Sequence, residues 1–541
     1  MLLPTGQRSA RRRNVVRTLQ EQRAASSEQR AASSEQRAAR SEQRAARSAQ
    51  RAARSAQRAA SSEPVFETFS LGLATGRDAW VNNFSSEALR GNVERTITAF
   101  NERSRALRIA RESRPETTLD EIGTADSTRF SWNRNAVQDA ARGKSYDVAD
   151  GRFTVGCYRP FTKQRLYFGR QLNAMVYQLP KLFPTAEAEN VGFFITSIGA
   201  REEFSVLAVP AVPDLNYFGT GGQFFPRWRY EPADPDDPAE ARPAATLELF
   251  AQPLTSTVAE RHRSSANPQQ LEAASPAPGQ TAGAHGAPAF AQTADPHATP
   301  ASGSLPDAAA SDASPPVVDG YRRVDNISDG FHAHYREAFG EEVAKDDIFY
   351  AVYAILHSPQ YRETFAADLK KMLPRIPQPA RAEDFFAFAD AGRRLAKLHT
   401  GYEQASPYPL TEEDTSPDDI DDYARYAVTK MRFGRPTAEQ KAAELRHDRS
   451  TIIYNQHVTL RSIPDEAYRY QLGSRSAVEW IIDRYQVKTD KASGIVNDPN
   501  DWSREVGDPR YIIDLIGRVI TVSLETMAIV DTLPQLPLGA S

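Results

Sequence analysis

The sequence predicts an α+β fold: a mixed, β-rich domain with a helical subdomain, behind a basic tail that is disordered or a single helix. Three observations predict it. Apolar runs of strand length, VGFFITS (191–197) and FSVLAVPAVP (204–213), sit between turn residues within 151–230. Over 324–403 the apolar residues recur at helical spacing instead, with Ile348, Val352, Ile355 and Leu356 on one face and Phe385, Phe388, Ala391 and Leu395 on another. Residues 21–62 are six consecutive heptads, EQRAASS twice, EQRAARS twice, AQRAARS and AQRAASS.

The heptads do not predict a coiled coil. Each offers only an adjacent Ala-Ala pair, whereas a seam needs bulky apolar residues three and four apart. The tail is strongly basic: residues 1–62 hold 14 Arg, no Lys and 4 Glu, about +10. The whole chain of 541 residues carries −4, so the remainder, with 52 cations against 66 acidic residues, carries −14. Any nucleic-acid surface on the folded part must therefore be local. One cysteine, Cys157, excludes an internal disulfide and a multi-cysteine zinc site. No apolar run approaches the length of a membrane span and no secretory signal is present, so the expectation is a cytoplasmic protein without membrane contact.

In chain order, the expected units are the tail (1–63), a mixed segment (64–150), a β-rich segment (151–230), an insertion (231–318) and a last region (319–541), helical over 324–403 and mixed over 421–535. Leu89, Val93, Ile97, Phe100 and Leu107 predict an amphipathic helix over 86–112. A second helix is expected over 133–142 and a short strand over 127–132. QFFPRWRY (223–230) reads as extended, its prolines favouring strand ends. The stretch 231–318 holds 14 of the 36 prolines and almost no aliphatic pattern, too little apolar surface to offset its ordering entropy. Residues 404–420 read as a loop, 423–471 as strands, 475–486 and 508–531 as helices, and KTDKASGIVNDPNDWS as a polar loop between those two.

One stretch, Tyr158 to Pro184, sets Arg159, Lys163, Arg165, Arg170 and Lys181 among Tyr158, Phe161, Tyr167, Phe168 and Tyr177, with no Asp or Glu. Cations among aromatics suit nucleic acid, where they meet phosphates while Arg, Gln and Asn bond base edges. They equally suit a buried hairpin whose cations extend to solvent. Composition leaves both open.

Catalytic motifs fail on their sequence context. FGTGG (218–222) resembles a cofactor-cradling turn, but QFFPRWRY follows it where a helix should open. NDPNDW (497–502) lacks the second proline and adjacent aromatic of the motif that holds a flipped adenine. Pro464-Asp465 with Gln486-Val487-Lys488 echoes a metal-dependent nuclease only in spacings that recur by chance. His332, His334, His357 and His399 lack zinc-ligand spacing. No P-loop and no Gly-x-Ser-x-Gly occurs.

Several ordered stretches together resemble one family. RPFTKQRLYFGRQLN (159–173), ITSIGAREEFSVL (195–207), DIFYAVYAILHSPQYRETFAADLKKMLPRIP (347–377), FAFADAGRRLAKLHTGYE (386–403), STIIYNQHVTLRSIP (450–464), DRYQVKTDKASGIVNDPNDWS (483–503) and PRYIIDLIGRVITVSLETM (509–527) are similar to the C-terminal specificity region of type ISP restriction-modification enzymes. FSLGLATGRDAWVNNFS (69–85) is similar to the end of the methyltransferase domain before it. The resemblance implies a DNA target-recognition part, partnered by double-stranded DNA and by a methyltransferase and translocase portion. It implies no catalysis and no cofactor in this chain alone. S-adenosylmethionine, ATP and Mg²⁺ are implied for the whole enzyme. The basic tail stands where the methyltransferase's catalytic half is expected, which implies a truncated or split gene product. The alternatives are an S-adenosylmethionine-dependent adenine methyltransferase subunit and a remnant or interaction protein. The candidate DNA-binding residues are Arg159, Lys163, Gln164, Arg165, Tyr167, Arg170, Gln171, Asn173, Arg201, Lys430, Arg432 and Lys488, with Lys370 and Lys371 as further phosphate contacts.

Overall fold

The computed structural model describes residues 64–123, 128–233 and 317–538. The tail and nearly all of the insertion lie outside the described residues. So does Ser127, and 128–132 form no strand.

Nine strands come from 64–233: β1 (Ser70–Leu71), β2 (Asn82–Asn83), β3 (Arg152–Arg159), β4 (Thr162–Phe168), β5 (Gly192–Thr196), β6 (Val206–Val209), β7 (Val212–Pro213), β8 (Gly222–Pro226) and β9 (Trp228–Pro232). Eight of them build two four-stranded sheets, β2-β4-β3-β7 and β1-β8-β5-β6. The run 204–213 is not one strand but two. Pro210 falls between β6, which pairs antiparallel with β5, and β7, which pairs parallel with β3. A proline has no N–H for a ladder, so the chain changes sheet there. The segment 64–150 does not stand apart from the β-rich segment after it, because β1 pairs with β8 and β2 with β4. Beyond the insertion, β10 (Val317–Val318) and β11 (Tyr321–Asp325) pair with each other, and β11 pairs with β9.

All but one of the longer helices form where the periodicity expects them. The longer helices are α1 (Ser86–Ser113), α2 (Arg134–Ala141), α3 (Asp329–Phe339), α4 (Lys345–Ile355), α5 (Ala382–Thr400), α6 (Ala477–Arg484), α7 (Pro499–Val506) and α8 (Tyr511–Val530). Ser85 caps α1, accepting from the Ala88 N–H at 3.1 Å, and Asn133 caps α2 likewise from Ala136. Two segments read as loops are ordered. β12 (Thr411–Asp414) lies within 404–420, and α7 lies within the polar stretch before α8. A third four-stranded sheet, called the third sheet below, is completed by β13 (Arg432–Gly434), β14 (Asp448–Ile453) and β15 (Val458–Arg461), in the order β12-β15-β14-β13.

Alternation along β5 explains the layering. Phe194 joins one core with Leu207 and Phe224, while Phe193 and Ile195 join another with Ala208 and Phe225. The sheet is therefore apolar on both faces, which is why its strands are continuous apolar runs. The first core continues through the third sheet to α6 and α8, and the second lies under α3, α4 and α5. A third packs α1 and α2 against Tyr167 and Leu172. α4 and α5 meet so closely that a Cβ at Gly392 would lie 1.8 Å from the Tyr350 carbonyl oxygen. A buried polar chain ties the layers together. Tyr353 Oη accepts from the Ala208 N–H (2.7 Å) and meets His399 Nδ1 (2.6 Å), and His399 Nε2 meets Thr526 Oγ1 (2.8 Å). Burial lowers the His399 pKa to about 3 and takes His357, stacked beside it, well below its ordinary value.

Candidate nucleic-acid interface

The cation-rich stretch forms the β3–β4 hairpin and the loop after it. Phe161 turns the hairpin at φ +54, and β3 and β4 are both interior in the order β2-β4-β3-β7. Other elements pack over the hairpin, and its cations are met by carboxylates from elsewhere in the chain. Arg159 pairs with Asp214 at 2.6 Å and lies over the Tyr158 ring. Lys163 pairs with Glu403 at 2.5 Å, and Tyr511 donates its hydroxyl to the same carboxylate at 2.7 Å. Arg165 pairs with Glu505 at 3.0 Å and lies over Trp502. Glu505 also accepts from the Ser86 hydroxyl at 2.7 Å, so this carboxylate joins α7, β4 and the start of α1.

Of the neighbouring candidates, three are equally enclosed and Gln171 is half-buried. Tyr167 is fully buried and donates its hydroxyl to the Val148 carbonyl at 2.9 Å. Asn173 is buried and donates to the Tyr167 and Gly169 carbonyls. Gln164 is buried, and Gln171 donates to the Asp147 carbonyl. Burial pushes the Asp214 carboxyl up to about 6 despite the opposing Arg159 charge, and pushes the Cys157 thiol up to about 11.

The remaining candidates reach solvent at separate places. Arg170 is exposed after β4, Arg201 in the turn between β5 and β6, Lys430 just before β13 and Arg432 on it, and Lys488 beyond α6. The Gly199 N–H donates to the Lys370 carbonyl at 2.9 Å, which sets the turn carrying Arg201 beside exposed Lys370 and Lys371. Partial burial, then the neighbouring Arg484 charge, lowers the Lys488 pKa.

Arg170 borders an open cleft of about 690 Å³ between 67–71, the α2 end of the third core and the loop 170–181. Lys181, Arg142 and Lys144 share its walls with Asn135, Gln138 and Gln178 and with the carboxylates of Glu67 and Asp139, and Met175 is left 46% exposed there. Arg170 and Lys181 have no carboxylate partner among the described residues, whereas Lys144 and Arg142 share Asp139 at 2.8 and 3.8 Å. Sequence reasoning missed Arg142 and Lys144. Only the fold brings the end of α2 against a loop about thirty residues later.

The FGTGG turn leads into β8 rather than a helix, and a Cβ at Gly222 would lie 2.0 Å from the Phe194 ring, so that glycine is filled by packing. Among the described residues, no group of three or more His, Cys, Asp or Glu could hold a metal ion. Also among them, no helix is long and apolar enough to cross a membrane.

A family model described as the type ISP C-terminal specificity domain matches residues 64–515. Among solved structures, a nuclease-deletion mutant of the type ISP restriction-modification enzyme LlaGI in complex with a DNA substrate mimic matches 89% of this chain at 28% identity and TM-score 0.60. The ATP-dependent type ISP enzyme LlaBIII bound to DNA matches 89% at 27% identity and TM-score 0.60. A DrdV–DNA complex matches 88% at 26% identity and TM-score 0.59. The chain spans 34%, 24% and 36% of those three chains. No curated protein matches it.

Proposed function

The chain belongs to the type ISP C-terminal specificity domain family, and from that premise we propose that it is a DNA target-recognition module. It binds a specific duplex sequence on behalf of an adenine methyltransferase and an ATP-driven translocase-nuclease, activities of the enzyme portion that this chain does not span. S-adenosylmethionine, ATP and Mg²⁺ serve that portion. The observation that carries this reading is the polar cleft beside the hairpin. Arg170 and Lys181, unpaired among the described residues, stand at its wall with Asn135, Gln138 and Gln178. That is the mixture of phosphate-binding cations and base-reading amides that duplex recognition needs.

Within this reading the exposed candidates Arg170, Arg201, Lys430, Arg432 and Lys488 meet DNA. Arg159, Lys163, Arg165, Gln164, Tyr167, Gln171 and Asn173 hold the hairpin that positions the cleft. The support is physical. A cation already facing a carboxylate in a dry site gains little by turning to a phosphate, because the carboxylate would be left buried and unpaired.

Fluorescence anisotropy of the purified chain with labelled duplexes, titrated against salt, tests the proposal. Affinity should fall as salt rises, and Arg170→Ala with Lys181→Ala should weaken binding about tenfold or more. The absence of binding to any duplex at low salt would end this reading. Binding of S-adenosylmethionine by calorimetry would favour a methyltransferase instead.

A further inference from the structure

The third sheet is electrically polarised. At one edge, β12 and the residues after it (411–422) carry seven acidic residues and no cation. Three of those acids are already matched: Glu412 by Arg510, Glu413 by Arg461 and Asp414 by Arg425. At the opposite edge lies β13, about 14 Å away across three strand spacings. There the segment 430–449 carries six cations against three acidic residues. Arg449 pairs with Glu479, but Lys430, Arg432, Arg435, Lys441 and Arg446 have no carboxylate partner among the described residues.

Local sequence explains how these cations come to face outward. Lys430, Met431, Arg432 and Phe433 alternate, so Met431 is buried and Phe433 packs on the core while the two cations are exposed. The ladder between β13 and β14 then shifts register at Phe433–Gly434, a bulge that turns the chain out of the sheet. The arm beyond the bulge stands in solvent: eleven of the thirteen residues 435–447 are exposed. The span from Lys430 to Arg435 is at most about 17 Å, the axial length of about five base pairs.

We propose that this basic edge and arm form a phosphate-tracking contact that grips the duplex backbone without reading its sequence. The proposal rests on the DNA-recognition reading and deepens it. The cleft reads bases, and the arm supplies affinity that does not depend on sequence. The acidic edge fixes the sheet's orientation, because only one of its two edges tolerates a phosphate backbone. Edge cations have another known use, which is to keep sheets from pairing edge to edge. That protective role predicts altered aggregation and unchanged DNA binding.

The test uses the full chain, random and target duplexes, and affinity measured against salt. Neutralising Lys430, Arg432 and Arg435 together (each →Gln) should lower the slope of log affinity against log salt by about 2.7, near 0.9 for each phosphate no longer neutralised. Lys441→Gln with Arg446→Gln should lower it by about 1.8 on the same scale. Both variants should weaken random and target duplexes by the same factor. Unchanged slopes with wild-type binding intact would overturn the arm and leave the cleft reading standing. No wild-type binding would overturn both. A general charge effect is separated by Asp418→Asn with Asp419→Asn. If that pair strengthens binding per charge as much as the arm variants weaken it, position is irrelevant and the arm has no special role.

Discussion

The β3–β4 hairpin and the β13 arm both interleave cations with aromatic or apolar residues, yet the fold treats them oppositely. In the hairpin, Arg159, Lys163 and Arg165 are each met by a carboxylate, and their side chains are 10–12% exposed. In the arm, five cations reach water with no acidic partner among the described residues. The difference is what covers the side chains. Arg159 on β3 and Lys163 and Arg165 on β4 lie under other parts of the chain, which supply Asp214, Glu403 and Glu505. Nothing among the described residues covers Lys430 before β13, Arg432 on it or the three cations after it, and all five are exposed. A basic-aromatic run in a sequence thus marks either buried cross-links or an exposed basic edge, and what packs over it decides which.

The largest expected effect lies on the buried side of that comparison. Arg159→Ala leaves Asp214 buried beside no cation, and a broken buried pair costs about 3–5 kcal/mol. Urea denaturation at pH 7 measures it. The double replacement Arg159→Met with Asp214→Leu should recover much of the loss, because two apolar groups remove the unpaired charge as well as the pair. A loss under about 1 kcal/mol for the single variant would mean that the hairpin is not held by its ion pairs.

The next effect comes from the other buried polar network. His399 and His357 are neutral in the fold, their pKa values lowered chiefly by burial, to about 3 for His399. In the unfolded chain each titrates near 6.5. The unfolded state therefore binds more protons at acidic pH. The stability tied to these groups is complete above pH 6.5 and drains as pH falls from there, toward 3 in the case of His399, by up to about 1.4 kcal/mol per pH unit for each histidine. Melting temperatures at pH 7, 6 and 5 should step downward, and His399→Gln should flatten the steps. An unchanged profile in that variant would place the acid sensitivity elsewhere.

These networks explain how far the sequence could be read. The helices were legible because their evidence is local: Leu89, Val93, Ile97, Phe100 and Leu107 share a face whatever they pack against, and all five are buried. β12 was missed because Thr-Glu-Glu-Asp has no apolar alternation and is held by its partner β15. α7 was missed because its first residues read as a turn, although Asp498 before Pro499 is a sound helix start, a capping acid followed by proline in the first turn. The site was least legible. Each hairpin cation finds its carboxylate 55, 240 or 340 residues downstream, and no spacing rule reaches that far. Arg435, Lys441 and Arg446 escaped notice for the converse reason. Being unpaired is a property of the fold, and in the sequence Glu439, Glu444 and Asp448 stand close enough to neutralise them.

The smallest effect on stability is also the sharpest contrast, because one chemical change can be made in both places. Lys163→Gln removes a charge that faces Glu403 at 2.5 Å, where both side chains are less than one-fifth exposed. It should cost about 1–3 kcal/mol, the penalty for stranding a largely buried carboxylate. Tyr511, which donates to the same carboxylate, keeps the loss from being larger. Because this lysine does not face solvent, the salt slope of DNA binding should stay at its wild-type value. Lys430→Gln removes a charge from an exposed edge position, so stability should move by no more than about 0.5 kcal/mol. The salt slope should fall by about 0.9. Urea melts and salt titrations on the two single variants would give opposite patterns. If both variants weakened DNA binding and neither altered stability, Lys163 would have to leave Glu403 when DNA arrives, and burial against exposure would no longer separate the two regions.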